Sequence, residues 1–336
     1  MLSATISLSA DAPAAPSNAV PAQPITTVSP RCSNQRSFDL WADFLWWSAN
    51  FNLPTSFTFG QTQKFFTSGN FNVTDQDISL HIKRPPASWD PGVRLGMGWN
   101  TGYDNWDVQG FWTYFYNDTE LNLKSSEGEI FTSFKKERSK LRLRYNCADA
   151  ELGKQYFVSS HFYIRPFTGI HAVWLSQHDS LHLKESINNQ TQFDQPVDVK
   201  LDLDLWGVGP RIGFNSNWGD FKGFTLVGNI SASMLYGKSL AKANIDIKSI
   251  NPSQNPAFLD KTSTEVHARD KEYWELIPTL QMLLGVSYGC CFNKERSQFR
   301  VSAGWETNFL WEAANLIVVE RAISMQGLTL DFRFDF

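Results

Sequence analysis

The sequence lacks any long apolar run. A helix needs about 18 or more successive apolar residues to cross a bilayer, and the apolar runs here are short stretches such as residues 316–319. The strands of a membrane barrel alternate between apolar and polar residues, so they leave no such run. The sequence therefore excludes a helical membrane protein and leaves open a soluble β or mixed protein and a membrane β-barrel.

Charge is also scarce and nearly balanced. Charged residues make up 19% of the 336 residues, with 30 Lys and Arg against 34 Asp and Glu. A nucleic-acid-binding domain typically carries a basic surplus on one face. No glycine-rich phosphate loop follows a strand and opens a helix. We therefore expect no nucleic-acid partner and no nucleotide cofactor.

The four cysteines, Cys32, Cys147, Cys290 and Cys291, have no metal-ligand spacing. Neither a Cys-x-x-Cys pair nor a neighbouring His accompanies them, so we predict no metal site and no cofactor. The vicinal pair Cys290 and Cys291 is not expected to bond to itself, because the resulting ring is strained. In an oxidising periplasm these two thiols could link to Cys32 or to a neighbouring chain, and unpaired structural thiols are the alternative.

The first residues are small, apolar and rich in proline. Residues 1–10 resemble the end of an export signal without its basic start, and residues 11–30 contain much Ala and Pro with almost no charge. Proline at this density excludes regular structure and favours an extended spacer. We predict a partial signal and disordered periplasmic leader over residues 1–35 and one domain over residues 36–336. A plain disordered tail is the alternative for the leader.

Adjacent catalytic residue types occur once, at His178, Asp179 and Ser180. Neighbouring side chains of an extended segment point to opposite sides, so these three residues do not form a Ser-His-Asp relay locally. We therefore predict that the protein is not an enzyme.

Aromatic residues are abundant, at 14% of the chain, although the mean hydropathy is -0.31. The clearest pattern is at the C-terminus, where residues 328–336 are apolar at every even position and polar at every odd one. This is the period of a strand with one apolar face. Because it ends on Phe332, Phe334 and Phe336, the strand resembles the signal by which the outer-membrane assembly machinery recognises barrels.

The same alternation recurs in about ten stretches along the chain. They run for about 12 to 17 residues, whereas soluble strands usually have about 5 to 6, and a tilted strand needs about 9 to 11 to cross the hydrocarbon. Most tryptophans lie near the ends of these stretches, where an indole can sit at headgroup level. One stretch, residues 141–147, loses its phase near Asp149, where we expect a bulge or a strand end.

The connections between these stretches alternate in size. Short ones lie near residues 101–105, 153–160, 215–223 and 289–297, and long polar ones near residues 51–88, 124–140, 178–200, 239–271 and 312–322. This layout is typical of outer-membrane barrels, which have short periplasmic turns and long external loops. We predict an all-β, transmembrane antiparallel β-barrel of about 10 strands in the bacterial outer membrane. Alternating pieces at residues 78–82 and 245–247 would raise the count to about 12 or 14.

Short glycine-aromatic motifs carry a family resemblance. They are WDPGVRLGMGWN at residues 89–100, WDV at 106–108, IRPFTGI at 164–170, WGVGPRIG at 206–213 and LYG at 235–237. In this order the chain resembles the Legionella-type pore-forming outer-membrane protein family, which includes major outer-membrane-protein-like porins of Chlamydia-like bacteria. The resemblance spans about residues 38–336, and it implies an outer-membrane β-barrel with porin activity and no catalytic site.

If the apolar positions face lipid, the alternate positions line the lumen. The charged residues among them are Arg94, Asp107, Arg165, His171, Arg211, Glu275, Arg300, Glu306, Asp331 and Arg333. A mixed-sign set of this kind predicts a polar eyelet whose field orients solutes. We therefore predict a porin for passive diffusion of small hydrophilic solutes or ions.

The alternative is a structural or adhesin protein, with an occluded barrel and ligand-binding external loops. In that case the lumen charges pair with each other across a filled interior. Barrels of about 8 strands are packed inside, whereas open porins have about 16 to 18 strands. The expected partners are outer-membrane lipid, the barrel assembly machinery through the C-terminal strand, small solutes, and other copies of the chain or disulfide-linked neighbours.

Overall fold

The computed structural model describes residues 37–51, 56–68, 71–83, 88–124, 134–159, 161–186, 194–219, 223–252, 259–269, 273–292, 297–316 and 319–336. The predicted leader and Cys32 lie outside these residues. No helix long and apolar enough to span a bilayer occurs in the part of the chain that the structure describes.

The described residues form fourteen β-strands. Their bounds are β1 (Ser37–Phe51), β2 (Ser56–Ser68), β3 (Phe71–Lys83), β4 (Trp89–Asn100), β5 (Trp106–Lys124), β6 (Phe134–Lys154), β7 (Tyr156–Ser159), β8 (Phe162–Ser186), β9 (Asp194–Gly219), β10 (Phe224–Pro252), β11 (Leu259–Arg269), β12 (Tyr273–Phe292), β13 (Ser297–Leu316) and β14 (Val319–Asp335).

Ten of these strands close into an antiparallel barrel, which confirms the predicted fold. The order around the wall is β1, β4, β5, β6, β8, β9, β10, β12, β13 and β14, and β14 pairs with β1 to close the ring. The remaining four strands do not belong to the wall: β2 pairs with β3 in a separate hairpin, β7 pairs with β8, and β11 pairs with β10.

The C-terminal strand seals the barrel against the first strand. The ladder runs from Asp39 opposite Asp335 to Phe51 opposite Ile323. Beyond it, Phe38 and Phe336 exchange both backbone hydrogen bonds, each with an N–O distance of 3.0 Å. The side chains of Phe332, Phe334 and Phe336 are all exposed on the outer face. Their role as an assembly signal stays a prediction.

The two ends of the barrel differ. The end that carries the short connections, such as residues 101–105 and 220–223, is called the turn end here, and the opposite end the loop end. At the loop end the strands continue into segments predicted as loops: β5 pairs with β6 up to Lys124 opposite Lys136, and β8 pairs with β9 up to Ser186 opposite Asp194. The pattern missed these extensions because their described outward side chains, such as those of Arg138, Lys140 and His182, are polar, whereas the lipid-facing part of a strand is apolar. The stretches at residues 78–82 and 245–247 lie within β3 and β10 and add no wall strand.

The outer face carries an apolar band bordered by aromatic rings. Leucine, isoleucine, valine and methionine side chains such as Leu95, Met97, Ile170 and Ile212 are exposed in its middle. Exposed rings lie towards the turn end at Phe38, Trp99, Trp106, Phe224, Tyr288 and Phe336, and towards the loop end at Trp46, Trp174, Trp206, Trp274 and Trp305. Aromatic girdles at the two interfaces flank the apolar band of a transmembrane barrel in this way.

The predicted phase break near Asp149 is wrong. The β5–β6 register is continuous from Trp106 opposite Lys154 to Lys124 opposite Lys136. The odd positions of β6 stay buried throughout, from Leu141 to Glu151, and Arg142 and Arg144 point outwards. The pattern changes because the lumen changes, from an apolar lining towards the loop end to a charged lining towards the turn end.

Candidate functional site in the barrel lumen

The structure brings most of the predicted lumen residues together inside the turn-end half of the barrel. Seven of them line one cavity of about 180 Å³: Arg94, Arg165, Arg211, Arg300, Glu306, Asp331 and Arg333. Asp107 and His171 are buried and contact residues of the same group. Glu275 lies apart from this cavity, near the loop end of β12.

Arg94 is the centre of the first group of contacts. Its Nη2 lies 2.7 Å from Oε1 of Glu306, and its Nη1 lies 3.0 Å from Oδ2 of Asp43. Its Nε donates to Oγ1 of Thr113 at 3.0 Å. Glu306 is fully buried and also accepts a hydrogen bond from Oγ1 of Thr329 at 2.8 Å. The two carboxylates therefore hold this guanidinium from two sides.

A second group surrounds Arg165. Its Nη2 lies 2.6 Å from Oδ1 of Asp107, and its Nη1 lies 3.0 Å from Oε2 of Glu151. The other oxygen of Glu151 lies 3.4 Å from Nε of Arg211. Glu151 thus bridges two arginines on different strands.

Arg211 extends the contacts to a third carboxylate. Its Nη1 donates to Oδ1 of Asp149 at 2.6 Å, and Nδ1 of His171 lies 2.6 Å from the same oxygen. Its Nη2 donates to Oε1 of Gln281 at 2.6 Å, and Nε2 of Gln281 donates to Oε1 of Glu306 at 2.5 Å. The Gln281 side chain therefore joins both groups into one ion network, formed by Asp43, Arg94, Asp107, Asp149, Glu151, Arg165, His171, Arg211, Gln281 and Glu306.

Carboxylates outnumber arginines in this half of the lumen. Among the residues that the structure describes, eight acidic side chains face five arginines there: Asp39, Asp43, Asp107, Asp149, Glu151, Glu306, Asp331 and Asp335 against Arg94, Arg165, Arg211, Arg300 and Arg333. A surplus of one sign in a low-dielectric cleft concentrates ions of the other sign. By formal charge, the described lining of this half therefore has three more acidic side chains than arginines.

The loop-end half of the lumen is filled by an apolar core. It consists of Leu45, Trp47, Ala49, Phe115, Leu143, Tyr145, Cys147, Val173, Leu175, Leu203, Leu205, Leu235, Ile277, Leu310, Ile323 and Met325. Trp47 and Phe115 are fully buried, with ring centroids 5.6 Å apart. Nε1 of Trp47 donates to Oγ1 of Thr329 at 3.1 Å, and the guanidinium of Arg94 lies 5.7 Å from the Trp47 ring centroid. Trp47 thus separates the apolar core from the ion network.

Gly96 faces the lumen without leaving an empty space there. A side chain at Gly96 would collide with the indole of Trp41, which fills the space over that glycine. The guanidinium of Arg333 in turn lies 4.4 Å from the Trp41 ring centroid. An inward tryptophan therefore occupies the room that Gly96 leaves.

Sequence reasoning missed several members of the ion network. Asp149 and Glu151 were missed because the apparent loss of phase in β6 hid their inward direction. Asp43 was missed because it lies between Trp41 and Phe44 in an aromatic stretch, and Gln281 was missed because it is uncharged. A search for acidic residues at inward positions of every strand, once the phase is known, finds the three carboxylates but not Gln281.

One group of potential metal ligands occurs among the described residues. Donor atoms of Cys147, Asp149 and His171 lie within 4.8 Å of one another, and all three residues are buried. Oδ1 of Asp149 already contacts Arg211 and His171, each at 2.6 Å, so the guanidinium compensates its charge without a metal ion. Asp149 and His171 belong to the ion network, and Cys147 belongs to the apolar core.

The remaining cysteines lie at the turn end of β12. Cys291 is disulfide-bonded, whereas Cys290 carries a free thiol, as does Cys147 in the lumen. Cys290 and Cys291 therefore do not bond to each other. The predicted partner Cys32 lies outside the described residues.

The three residues considered as a catalytic relay do not share one face of β8. Nδ1 of His178 lies 2.7 Å from Oδ1 of Asp202 on the exposed outer face. Asp179 instead accepts a hydrogen bond from Nε2 of the buried Gln177 at 2.9 Å. Strand alternation thus separates His178 from Asp179.

Comparisons with known proteins agree with the architecture. A family model described as the Legionella pneumophila major outer membrane protein precursor matches residues 29–336. No curated protein sequence matches the chain.

Several solved outer-membrane barrels are similar in structure at low sequence identity. The outer membrane protease OmpT from Escherichia coli is 8% identical, with a TM-score of 0.43, and the match covers 89% of this chain and 97% of that chain. The Pseudomonas putida toluene transporter TodX is 9% identical, with a TM-score of 0.26 and 89% of each chain covered. Ail of Yersinia pestis is 8% identical, with a TM-score of 0.21, covering 89% of this chain and 99% of that chain. These three proteins differ in activity, and similarity at this level assigns none of their activities to the present chain.

Proposed function

The chain belongs to the Legionella pneumophila major outer membrane protein family, and from this premise we propose that it is a porin of low conductance for small hydrophilic solutes and ions. The charged cavity in the turn-end half of the lumen carries the proposal. Its volume of about 180 Å³ exceeds the space of about 10–15 Å³ that one water molecule needs, so the cavity has room for several waters. A lining of this kind suits a narrow polar path.

The size of the barrel limits what could pass. A wall of ten strands lies between barrels of about 8 strands, which are filled, and open porins of about 16 to 18. The path is therefore narrower than in an open porin. We propose that it admits ions and the smallest solutes, and that its acidic surplus favours cations.

The apolar core is the barrier on this path. Hydrophobic constrictions close a pore by excluding water even where a small gap exists. Trp47 and Phe115 are fully buried at the border of the core with the ion network. Conduction then requires the core to part or to hydrate transiently, so we expect brief and small current steps.

The experiment is single-channel recording in planar bilayers with purified, folded protein. Folding is verified beforehand by heat-modifiable migration, which distinguishes a closed barrel from an unfolded chain. The proposal expects small discrete steps with a preference for cations in a salt gradient. Step sizes typical of open porins would contradict the narrow path.

A second candidate is a structural or adhesin protein with an occluded barrel, and the packed lumen favours it. The side chains of Arg94, Arg165 and Arg211 are all paired with carboxylates, and the apolar core fills the loop-end half. Absence of current steps from verifiably folded protein would support this candidate and overturn the porin proposal. Neither candidate includes a catalytic step, so we propose that the protein is not an enzyme.

A further inference from the structure

Three of the four cysteines have a defined state in the described part of the chain. Cys147 and Cys290 carry free thiols, and Cys291 is disulfide-bonded. The fourth cysteine of the sequence is Cys32, which lies outside the described residues. A disulfide within one chain joins two cysteines, and Cys32 is the one that remains for Cys291.

Cys291 lies at the turn end of β12 and points into the lumen. The inward positions of this strand are odd, as at the buried Ile277 and Ser287, whereas the thiol of Cys290 is exposed on the outer face. Short turns mark the periplasmic end of a transmembrane barrel, and disulfides persist in the oxidising periplasm. The bond of Cys291 therefore lies inside the periplasmic rim of the barrel.

One cross-strand row leads from Cys291 to the first strand. Cys291 lies opposite Gln298 on β13, Gln298 lies opposite Asp335 on β14, and Asp335 lies opposite Asp39 on β1. Three strand spacings of about 4.8 Å separate the two ends of the row, about 14 Å in all. The row crosses the pairing of β14 with β1 that closes the barrel, called the seam here.

The connection between Cys32 and β1 is long enough to span this row. β1 begins at Ser37, two residues before Asp39, which places Ser37 about 16 Å from Cys291 along the wall. The five residue steps from Ser37 to Cys32 reach at most about 17–18 Å, and a disulfide adds about 5.5–6 Å between Cα atoms. These lengths together exceed the gap by about 7 Å. A bond formed in the closed barrel therefore limits how far the seam can open.

Burial at the rim agrees with a segment that crosses the row. Gln298 is the second residue of β13 and Asp39 the third of β1, and each is only 1% exposed. Asp335, the last residue of β14, is also buried. Inward side chains this close to an uncovered rim would contact solvent. Their burial is what a segment tethered at Cys291 would produce.

We propose that Cys32 and Cys291 form a disulfide that holds the chain before β1 across the seam, on its lumen side, and locks the barrel closed from the periplasmic end. The oxidant is the disulfide of a periplasmic thiol oxidoreductase. The thiolate of one cysteine attacks that disulfide, and the thiolate of the other displaces the oxidoreductase from the mixed disulfide. The oxidoreductase leaves as a dithiol, with the two electrons and the two thiol protons.

The first test is peptide mapping of the full chain isolated from outer membranes without reductant. Alkylation of the denatured protein should modify Cys147 and Cys290 alone, and all four cysteines after reduction. The tryptic peptide that begins at Cys32 should be linked to the peptide that contains both Cys290 and Cys291. Cys290→Ser is the matched control, because it changes the adjacent residue of the same peptide. It should keep the link, and Cys291→Ser should abolish it.

The second test is hydrogen exchange of backbone amides in the folded protein. Reduction of the wild type, or Cys291→Ser, should raise exchange severalfold between β1 and β14 and leave exchange between β9 and β10 unchanged, because only the seam loses its constraint. Cys290→Ser should change neither. Four free thiols, a link through Cys290 or a link between two chains would overturn the assigned disulfide. Equal exchange at the seam before and after reduction would overturn its role as a lock.

Discussion

Arg94 on β4 and Glu306 on β13 meet across the lumen, with Nη2 and Oε1 2.7 Å apart, although 212 residues separate them in the chain. Two other strands, β14 and β1, lie between them in the wall. Both side chains are buried. This ion pair therefore links two strands that share no backbone hydrogen bonds. It also spans the pairing of β1 with β14, which closes the barrel.

Removing the carboxylate of this pair should destabilise the barrel. Glu306→Gln leaves Arg94 with Asp43 as its remaining acidic partner, and breaking a buried pair costs about 3–5 kcal/mol. The measurement is the free energy of unfolding in urea after refolding into detergent or lipid. The control is Glu120→Gln, which removes the partner of the exposed Arg138 and should cost less than about 1 kcal/mol. Equal effects of the two substitutions would contradict a stabilising role of the ion network.

The ion selectivity should respond to Arg300. Its side chain lines the charged cavity and forms no ion pair among the described residues. Arg300→Glu adds to the acidic surplus without breaking an ion pair, so the preference for cations should increase. The reversal potential in a salt gradient measures it. Arg138→Glu, on the outer face, should leave the reversal potential unchanged, and an unchanged value for Arg300→Glu would exclude Arg300 from the path.

Gly96 should not tolerate a side chain. A methyl group there meets the indole of Trp41, and overpacking of this kind costs about 1–3 kcal/mol. Gly110→Ala is the matched control, because the nearest atom to its added Cβ is the carbonyl oxygen of Asp149 at 3.7 Å. The melting temperature compares the two variants. A lower value for Gly96→Ala alone is expected, and equal values would mean that Trp41 moves without cost.

The C-terminal phenylalanine should matter for assembly more than for stability. Phe336 is exposed and aromatic, and its backbone pairs with that of Phe38. Phe336→Ser keeps this backbone pairing and removes the aromatic ring, so folding assisted by the barrel assembly machinery should slow more than spontaneous folding into detergent. Phe224→Ser, another exposed ring at the turn end, serves as the control. An equal delay in both variants would contradict a specific signal at Phe336.

The barrel and most strand faces could be predicted from the sequence because alternation with period two fixes which side chains share a face. The prediction of strand phase failed in β6, where the lumen-facing side chains change from apolar to charged along the strand. In β6, Leu143 and Tyr145 face an apolar core, whereas Asp149 and Glu151 on the same face belong to the ion network. A local pattern cannot distinguish lipid from a dry lumen, since both accept apolar side chains.

The sequence predicted which single residues of the candidate site face the lumen, but not which of them contact one another. Arg94 and Glu306 were both placed in the lumen, but their contact depends on how ten strands close and by how much they are staggered. Gln281 joins the two halves of the ion network without any charge, so no electrostatic pattern identifies it. Whether the charges pair or remain open to solute is thus a property of the closed barrel.

The most direct test of the account is the single-channel conductance of a variant that lacks one buried ring of the apolar core. Phe115→Ala removes a fully buried ring beside Trp47, and Trp112→Ala removes an exposed ring from the lipid-facing side of the same strand. With folding verified for both, a narrow path closed by the apolar core predicts larger or longer steps for Phe115→Ala and wild-type steps for Trp112→Ala. Silent recordings from wild type and from both variants would contradict the porin proposal and leave an occluded barrel.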